Sequence, residues 1–158
     1  MAGFLYMPNL TTVKPSAPNT GSLTYAIVVR CGADQQSQAL SAFCFTKELL
    51  LQGHQVIRVF FYQQGVYLAS GLKVMPQDET NLTTLWQQLS IDHDLELGVC
   101  IAAALQAGVV DQQEANRYEL RGDNLAARFT LVGLGQLAAA SAECDRLVSF
   151  GRSEERRV

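Results

Sequence analysis

Short apolar runs alternate with stretches of helical spacing along most of this chain. Continuous apolar runs are typical of parallel strands, because both faces of such strands are buried. They predict strands at residues 23–29, 55–62, 95–99, 129–132 and 146–150. Apolar residues that recur every three or four positions predict helices at residues 35–52, 81–90, 101–107, 111–118 and 135–144. Residues 63–77 contain two glycines and a proline, and we expect a loop there.

Strands that alternate with helices predict an α/β fold, with a mainly parallel sheet of about five strands and helices on both faces. We expect one domain over residues 23–151, followed by a charged tail at 152–158. Residues 1–22 hold three of the four prolines and have no basic segment followed by an apolar one. They are therefore expected to be a disordered extension rather than a signal peptide.

Composition narrows the class of protein. The chain has 158 residues, 48% of them apolar, and a formal charge of -3, which argues against direct binding of nucleic acid. No run of about 18 apolar residues occurs, so no membrane span is expected. The four cysteines lie far apart and form no C-x-x-C pair, which disfavours a metal site or a dithiol site. Reduced thiols in a cytoplasmic protein are the natural interpretation.

Cys100 is the strongest candidate for chemistry. It follows the third predicted strand and precedes a predicted helix. Reactive groups of open parallel sheets gather at the carboxyl ends of the strands. The free amides of Ile101, Ala102 and Ala103 at the helix start would favour a thiolate, which is the nucleophilic form. The alternative is that Cys100 is a small buried core residue.

The other cysteines are weaker candidates. Cys31 follows the first strand, and in a flavodoxin-like order that strand neighbours the third. Cys31 would then approach Cys100 as a resolving thiol or a second relay point, although a loop cysteine without a role is favoured over this. Cys44 shares a helix stripe with Leu40, Phe43, Leu50 and Leu51, and core packing is expected for it. Core packing is also expected for Cys144.

The sequence argues against a Cys–His hydrolase and against a bound nucleotide or flavin. His54 and His93 precede the second and third strands, so both are expected at the sheet edge opposite Cys100. A Cys–His hydrolase needs the imidazole within hydrogen-bond reach of the sulfur. The turn at residues 30–34 matches no dinucleotide or P-loop motif and lacks the Ser/Thr-rich turn of a flavodoxin phosphate loop. We therefore expect no cofactor and no metal.

Five segments carry a resemblance to a known family. They are TYAIVV, SAFCFTKELLLQGHQVIRVFFYQQGVYLA, LWQQL, GVCIAAALQAGVVD and FTLVGLGQLAAASAECDRLVSFG. Together they resemble the TusD branch of the DsrE-like sulfurtransferases over nearly all of residues 23–151. The resemblance implies a flavodoxin-like sandwich without flavin, and it matches the family's persulfide-bearing cysteine to Cys100. Where family members commonly carry basic residues, this chain has Gln106 and Ala107, so a nearby cation is absent.

The resemblance also implies a pathway and partners. It implies a subunit of a TusBCD-like heterohexamer, a dimer of heterotrimers that takes sulfur from one small carrier protein and gives it to another. The sulfur then serves 2-thiolation of a tRNA wobble uridine. A related branch of the family works in dissimilatory sulfur oxidation.

Three hypotheses follow. The leading one is a sulfurtransferase that accepts and passes on a persulfide sulfur at Cys100. The second is a structural subunit of a DsrE-like hetero-oligomer whose partner holds the working thiol. The third is a redox sensor that forms a disulfide between Cys31 and Cys100.

Overall fold

The computed structural model describes residues 21–152. The expectations for the N-terminal extension and the charged tail therefore lie outside the described residues, except at positions 21, 22 and 152. The strands are β1 (Thr24–Val29), β2 (Gln55–Phe61), β3 (Leu97–Cys100), β4 (Phe129–Val132) and β5 (Arg146–Phe150). The α-helices are α1 (Gln36–Leu51), α2 (Leu82–His93), α3 (Ile101–Gln106), α4 (Gln112–Arg117) and α5 (Leu134–Glu143).

The predicted strands and helices are confirmed, with ends that differ by at most three residues. The expected loop after β2 is wrong over its first half, because Gln63–Ala69 forms a 3-10 helical segment. Two helix starts follow directly from the sequence. Asp111 accepts a hydrogen bond from the Glu114 amide at 2.8 Å, and Asn81 accepts one from the Thr83 amide at 3.0 Å. Such side-chain caps satisfy amides that have no partner within the helix.

All five strands are parallel, in the order β4-β3-β2-β1-β5. This confirms a parallel α/β sheet. The expectation that β1 and β3 are neighbours is wrong, because β2 lies between them. The three crossovers from β1 to β4 all step in one direction, and the chain returns to the far side of β1 only with β5. The switch in strand order therefore falls between β1 and β5.

The main core lies between the sheet and helices α1 and α2. Trp86 of α2 is fully buried, with its ring centroid 5.3 Å from that of Phe43 on α1 and 5.4 Å from that of Phe61 on β2. The predicted apolar stripe of α1 is wrong in phase, since Leu40, Cys44 and Leu51 are exposed. The helix is instead buried through a face with smaller residues, which lets it approach the sheet closely: Ala39, Ala42, Phe43, Thr46 and Leu49.

Helix α5 covers the other face of the sheet, which confirms helices on both faces. Arg58 of β2 donates a hydrogen bond to the Gln136 side chain of α5 and forms a 2.6 Å ion pair with Glu96. Ala140 of α5 is buried against this face. Among the described residues, no helix has both the length and the hydropathy needed to cross a membrane.

Candidate functional site around Cys100

Cys100 is both the last residue of β3 and the residue that caps α3. Its backbone angles are φ -58° and ψ 112°, so the chain turns from strand to helix at this residue. Ile101, Ala102 and Ala103 form the first turn of α3, as expected from the sequence. The Cys100 side chain is only 1% exposed. The thiol therefore lies at the carboxyl edge of the sheet, beneath its neighbours rather than in solvent.

Strand register identifies those neighbours. Phe60 of β2 pairs with Gly98, and Val132 of β4 pairs with Cys100. A Cβ added to Gly98 would lie 3.0 Å from Cγ2 of Val132 and 3.7 Å from Cδ2 of Phe60, so these side chains share one face. Because side chains alternate along a strand, Cys100 projects from the same face two residues further on. This is the face that α5 covers.

Tyr62 continues β2 by one residue at the level of Cys100. Its backbone is extended, with φ -140° and ψ 160°, and its amide donates to the Val29 carbonyl at 2.9 Å. Its ring centroid lies 6.4 Å from that of Phe60, which places the two rings side by side on the Cys100 face. Cys100 is therefore flanked by Tyr62 on the β2 side and by Val132 on the β4 side.

Two glycines let the 3-10 segment pack directly onto the end of β1. A Cβ on Gly65 would lie 2.0 Å from the Val29 carbonyl oxygen, and one on Gly32 would lie 2.5 Å from the Gln64 carbonyl oxygen. Both distances are far inside van der Waals contact with backbone atoms. The segment consequently covers the turn after β1 and also reaches β3 and α3.

A small crevice of about 170 Å³ separates the 3-10 segment from α3. Ala103 of α3 and Ala107, the residue that follows α3, lie about one turn apart and form one wall. The side chains that line it are uncharged: Gln63, Gln64, Tyr67, Ala103, Gln106 and Ala107. The neutral pair expected from the sequence, Gln106 and Ala107, thus faces the segment that follows Tyr62.

Cys31 does not approach Cys100 as a strand neighbour. Burial raises the pKa of the Cys31 thiol, a hydrogen bond from the backbone opposes this, and the nearby Asp34 carboxylate raises the pKa further. Two strand spacings of about 4.8 Å separate β1 from β3, which puts about 9.6 Å between their backbones. A disulfide needs Cα atoms within about 7 Å. The strand order therefore removes the adjacency of β1 and β3 on which the Cys31–Cys100 disulfide was based. Both thiols are free, and Cys31 is fully buried in the core.

Two further cysteine predictions are wrong. Cys44 is exposed, because α1 turns its smaller residues towards the sheet. Cys144 is only partly buried, with its sulfur 3.8 Å from the Ser141 carbonyl oxygen. It follows the last residue of α5, where the chain leaves the helix for β5.

The histidines lie at the amino edge of the sheet, as predicted. His54 accepts a hydrogen bond from the Leu23 amide at 3.2 Å through Nδ1, and its ring lies 5.4 Å from that of Tyr25. His93 is in the last turn of α2, which precedes β3. Neither imidazole is at the edge that holds Cys100. Within residues 21–152, no three His, Cys, Asp or Glu side chains come together as metal ligands would.

A larger apolar groove of about 680 Å³ lies beyond the end of α3. Leu105 and Val110 line it, together with three largely exposed apolar side chains. These are Leu72, Tyr118 and Leu120, which are 72%, 53% and 50% exposed. Periodicity did not reveal this groove, since its residues come from α3 and from the three connections that follow the 3-10 segment, α3 and α4. Nor did it reveal that Tyr62 flanks Cys100, because that depends on strand register. The sequence did indicate that Phe60 and Tyr62 lie on one face of their strand, and that Gly98 and Cys100 do so on theirs, because side chains alternate along a strand.

Comparisons with known proteins agree with this architecture. The ychN protein of E. coli has a crystal structure with a TM-score of 0.59 to this chain, at 13% sequence identity. The match covers 82% of this chain and 100% of that one, and it shows a shared fold. The model of the DsrE/DsrF-like family matches residues 24–150, which spans all five strands and Cys100. The chain belongs to the DsrE/DsrF-like family, which is associated with sulfur relay.

Proposed function

We propose that this chain is a TusD-like sulfurtransferase subunit that carries sulfur as a persulfide on Cys100. The observation that carries the proposal is the position of Cys100 in a DsrE/DsrF-like chain, at the carboxyl end of a central strand and the start of a helix. The amides of Ile101, Ala102 and Ala103 have no earlier helical turn to bond to, so they favour negative charge near the sulfur.

The reaction is an exchange between sulfur atoms and needs no external oxidant or reductant. The Cys100 thiolate attacks the terminal sulfur of a persulfide on a donor protein, as in thiol–disulfide exchange. A sulfur–sulfur bond to Cys100 forms while that of the donor breaks, and the donor leaves as a thiolate. An acceptor thiolate then attacks the terminal sulfur on Cys100 and restores the Cys100 thiolate. This exchange requires no histidine base, in agreement with imidazoles at the opposite edge.

We propose small sulfur-carrier proteins as donor and acceptor, paralogous DsrE-like subunits as assembly partners, and thiolation of a tRNA wobble uridine in the cytoplasm as the pathway. The TusD-type motifs around residues 60–69 and 98–111 support this. The apolar groove with exposed Leu72, Tyr118 and Leu120 supports assembly with other subunits, because exposed apolar patches mark protein interfaces. The related sulfur-oxidation relay would use the same step at Cys100.

Burial of Cys100 favours a second candidate, a structural subunit whose partner holds the working thiol. At 1% exposure the sulfur cannot meet another protein unless neighbouring side chains move. A Cys100→Ala variant separates the two candidates. Incubation with a cysteine desulfurase and radiolabelled cysteine is expected to label the wild type and to leave the variant unlabelled.

Cys44→Ala is the matched control, because Cys44 is exposed and lies on α1, away from the edge that holds Cys100. It is expected to retain the label. Thermal unfolding of both variants verifies that the fold persists. Full sulfur transfer by a complex reconstituted with Cys100→Ala would establish the structural role instead.

A further inference from the structure

Transfer at Cys100 poses a problem of access. The donor sulfur has to touch the Cys100 sulfur, yet the side chain is 1% exposed. The backbone on either side is fixed by ladder hydrogen bonds of β3 to β2 and β4. Opening the site by separating strands would cost several such bonds, whereas rotation of a side chain costs none.

The two flanking side chains differ in their freedom to move. Val132 lies within β4, and its Cγ2 fills the space above Gly98. Both side chains are partly exposed, but the branched Val132 side chain is stiff about χ1. Tyr62 lies one residue beyond β2, outside the strand, and leads into the 3-10 segment. Partly exposed side chains change rotamer far faster than strands separate. Tyr62 is therefore the neighbour of Cys100 that can move.

We propose that Tyr62 determines access to Cys100: its ring covers the thiol from the β2 side and swings away from Phe60 to admit a donor or acceptor sulfur. This inference rests on the proposed function for its purpose, but the cover itself is a property of the chain alone.

The test is the rate at which iodoacetamide alkylates each cysteine of the native chain, followed by peptide-resolved mass spectrometry. In Tyr62→Ala, alkylation of Cys100 is expected to become about tenfold faster, which corresponds to removal of an opening step of about 1.4 kcal/mol. Tyr62→Phe keeps the ring and is expected to stay within about twofold of the wild type. Equal Cys100 rates in wild type and Tyr62→Ala would overturn the proposal.

The other cysteines serve as internal controls. Cys44 is exposed, so its alkylation rate measures the reactivity of the reagent. Cys31 is fully buried, so its alkylation rate measures general opening of the fold. If Tyr62→Ala also raises the alkylation rate of Cys31, a comparison of Tyr62→Trp with Tyr62→Phe decides. The larger ring of Tyr62→Trp is expected to slow the alkylation of Cys100 relative to Tyr62→Phe. Equal rates in those two variants would refute the cover. Faster alkylation in Tyr62→Ala together with no sulfur loading in any variant would retain the cover and reject the proposed relay.

Discussion

Gly65→Ala is expected to damage the edge of the sheet that holds Cys100. The new Cβ would lie 2.0 Å from the Val29 carbonyl oxygen and 2.8 Å from the Val29 carbonyl carbon. Ordinary contact begins near 3.4 Å, so the 3-10 segment has to shift by at least about 1.4 Å from β1. The obstacle is the backbone of the last residue of β1, which is paired with both β2 and β5 and cannot rotate away. We expect the free energy of unfolding to fall by about 3 kcal/mol, which is the upper end of the usual range for overpacking.

Thermal unfolding monitored by circular dichroism measures this cost. For a chain of this size, 3 kcal/mol corresponds to a fall in Tm of about 6–12 °C. Gly135→Ala is the matched control, because a Cβ there meets nothing within 4 Å and Gly135 lies inside α5. It is expected to raise stability by about 0.5–1 kcal/mol through helix propensity. If Gly65→Ala unfolds within 2 °C of the wild type, the close packing of the segment on β1 is refuted.

Two further predictions test the core and the start of β5. Trp86→Ala removes a fully buried ring that contacts Phe43 and Phe61, and it is expected to lower the free energy of unfolding by about 3–5 kcal/mol in a urea titration. A loss below 1 kcal/mol would contradict the packing. Asp145 accepts hydrogen bonds from the amide and hydroxyl of Thr24, both at 2.8 Å, which lower its pKa. Since the folded pKa lies below the unfolded one, Asp145→Asn is expected to be less stable than the wild type at pH 7. This difference should begin to shrink as the pH falls below about 4, and it should vanish once Asp145 is protonated in the folded chain as well. A difference independent of pH would refute it.

The sequence predicted the elements well where the pattern was strong. The largely buried interior strands β1 and β3 were located to within two residues, since continuous apolar runs between turns have few other uses in a parallel fold. The phase of α1 was wrong because apolar residues occur all around that helix. Hydrophobicity alone favoured Leu40 and Leu51, whereas close packing on the sheet selected Ala39 and Ala42.

The candidate site was predicted only in part. The position of Cys100 followed from its place between a strand and a helix, which is local information. Strand order is not local, and the assumption that β1 neighbours β3 wrongly brought Cys31 towards Cys100. The proximity of Tyr62 depends on the register of β2 against β3, and the burial of Cys100 depends on all its neighbours together. Neither can be read from spacing along the chain.

The central claim is that sulfur resides on Cys100, and a peptide-resolved mass spectrum tests it directly. The native chain, together with the proposed partner subunits, is incubated with a persulfidated carrier protein and then alkylated. The account predicts a gain of one sulfur atom on the peptide that contains Cys100, with none on the peptides of Cys31, Cys44 and Cys144. Loading of another cysteine, or of none while the complex transfers sulfur, would contradict it.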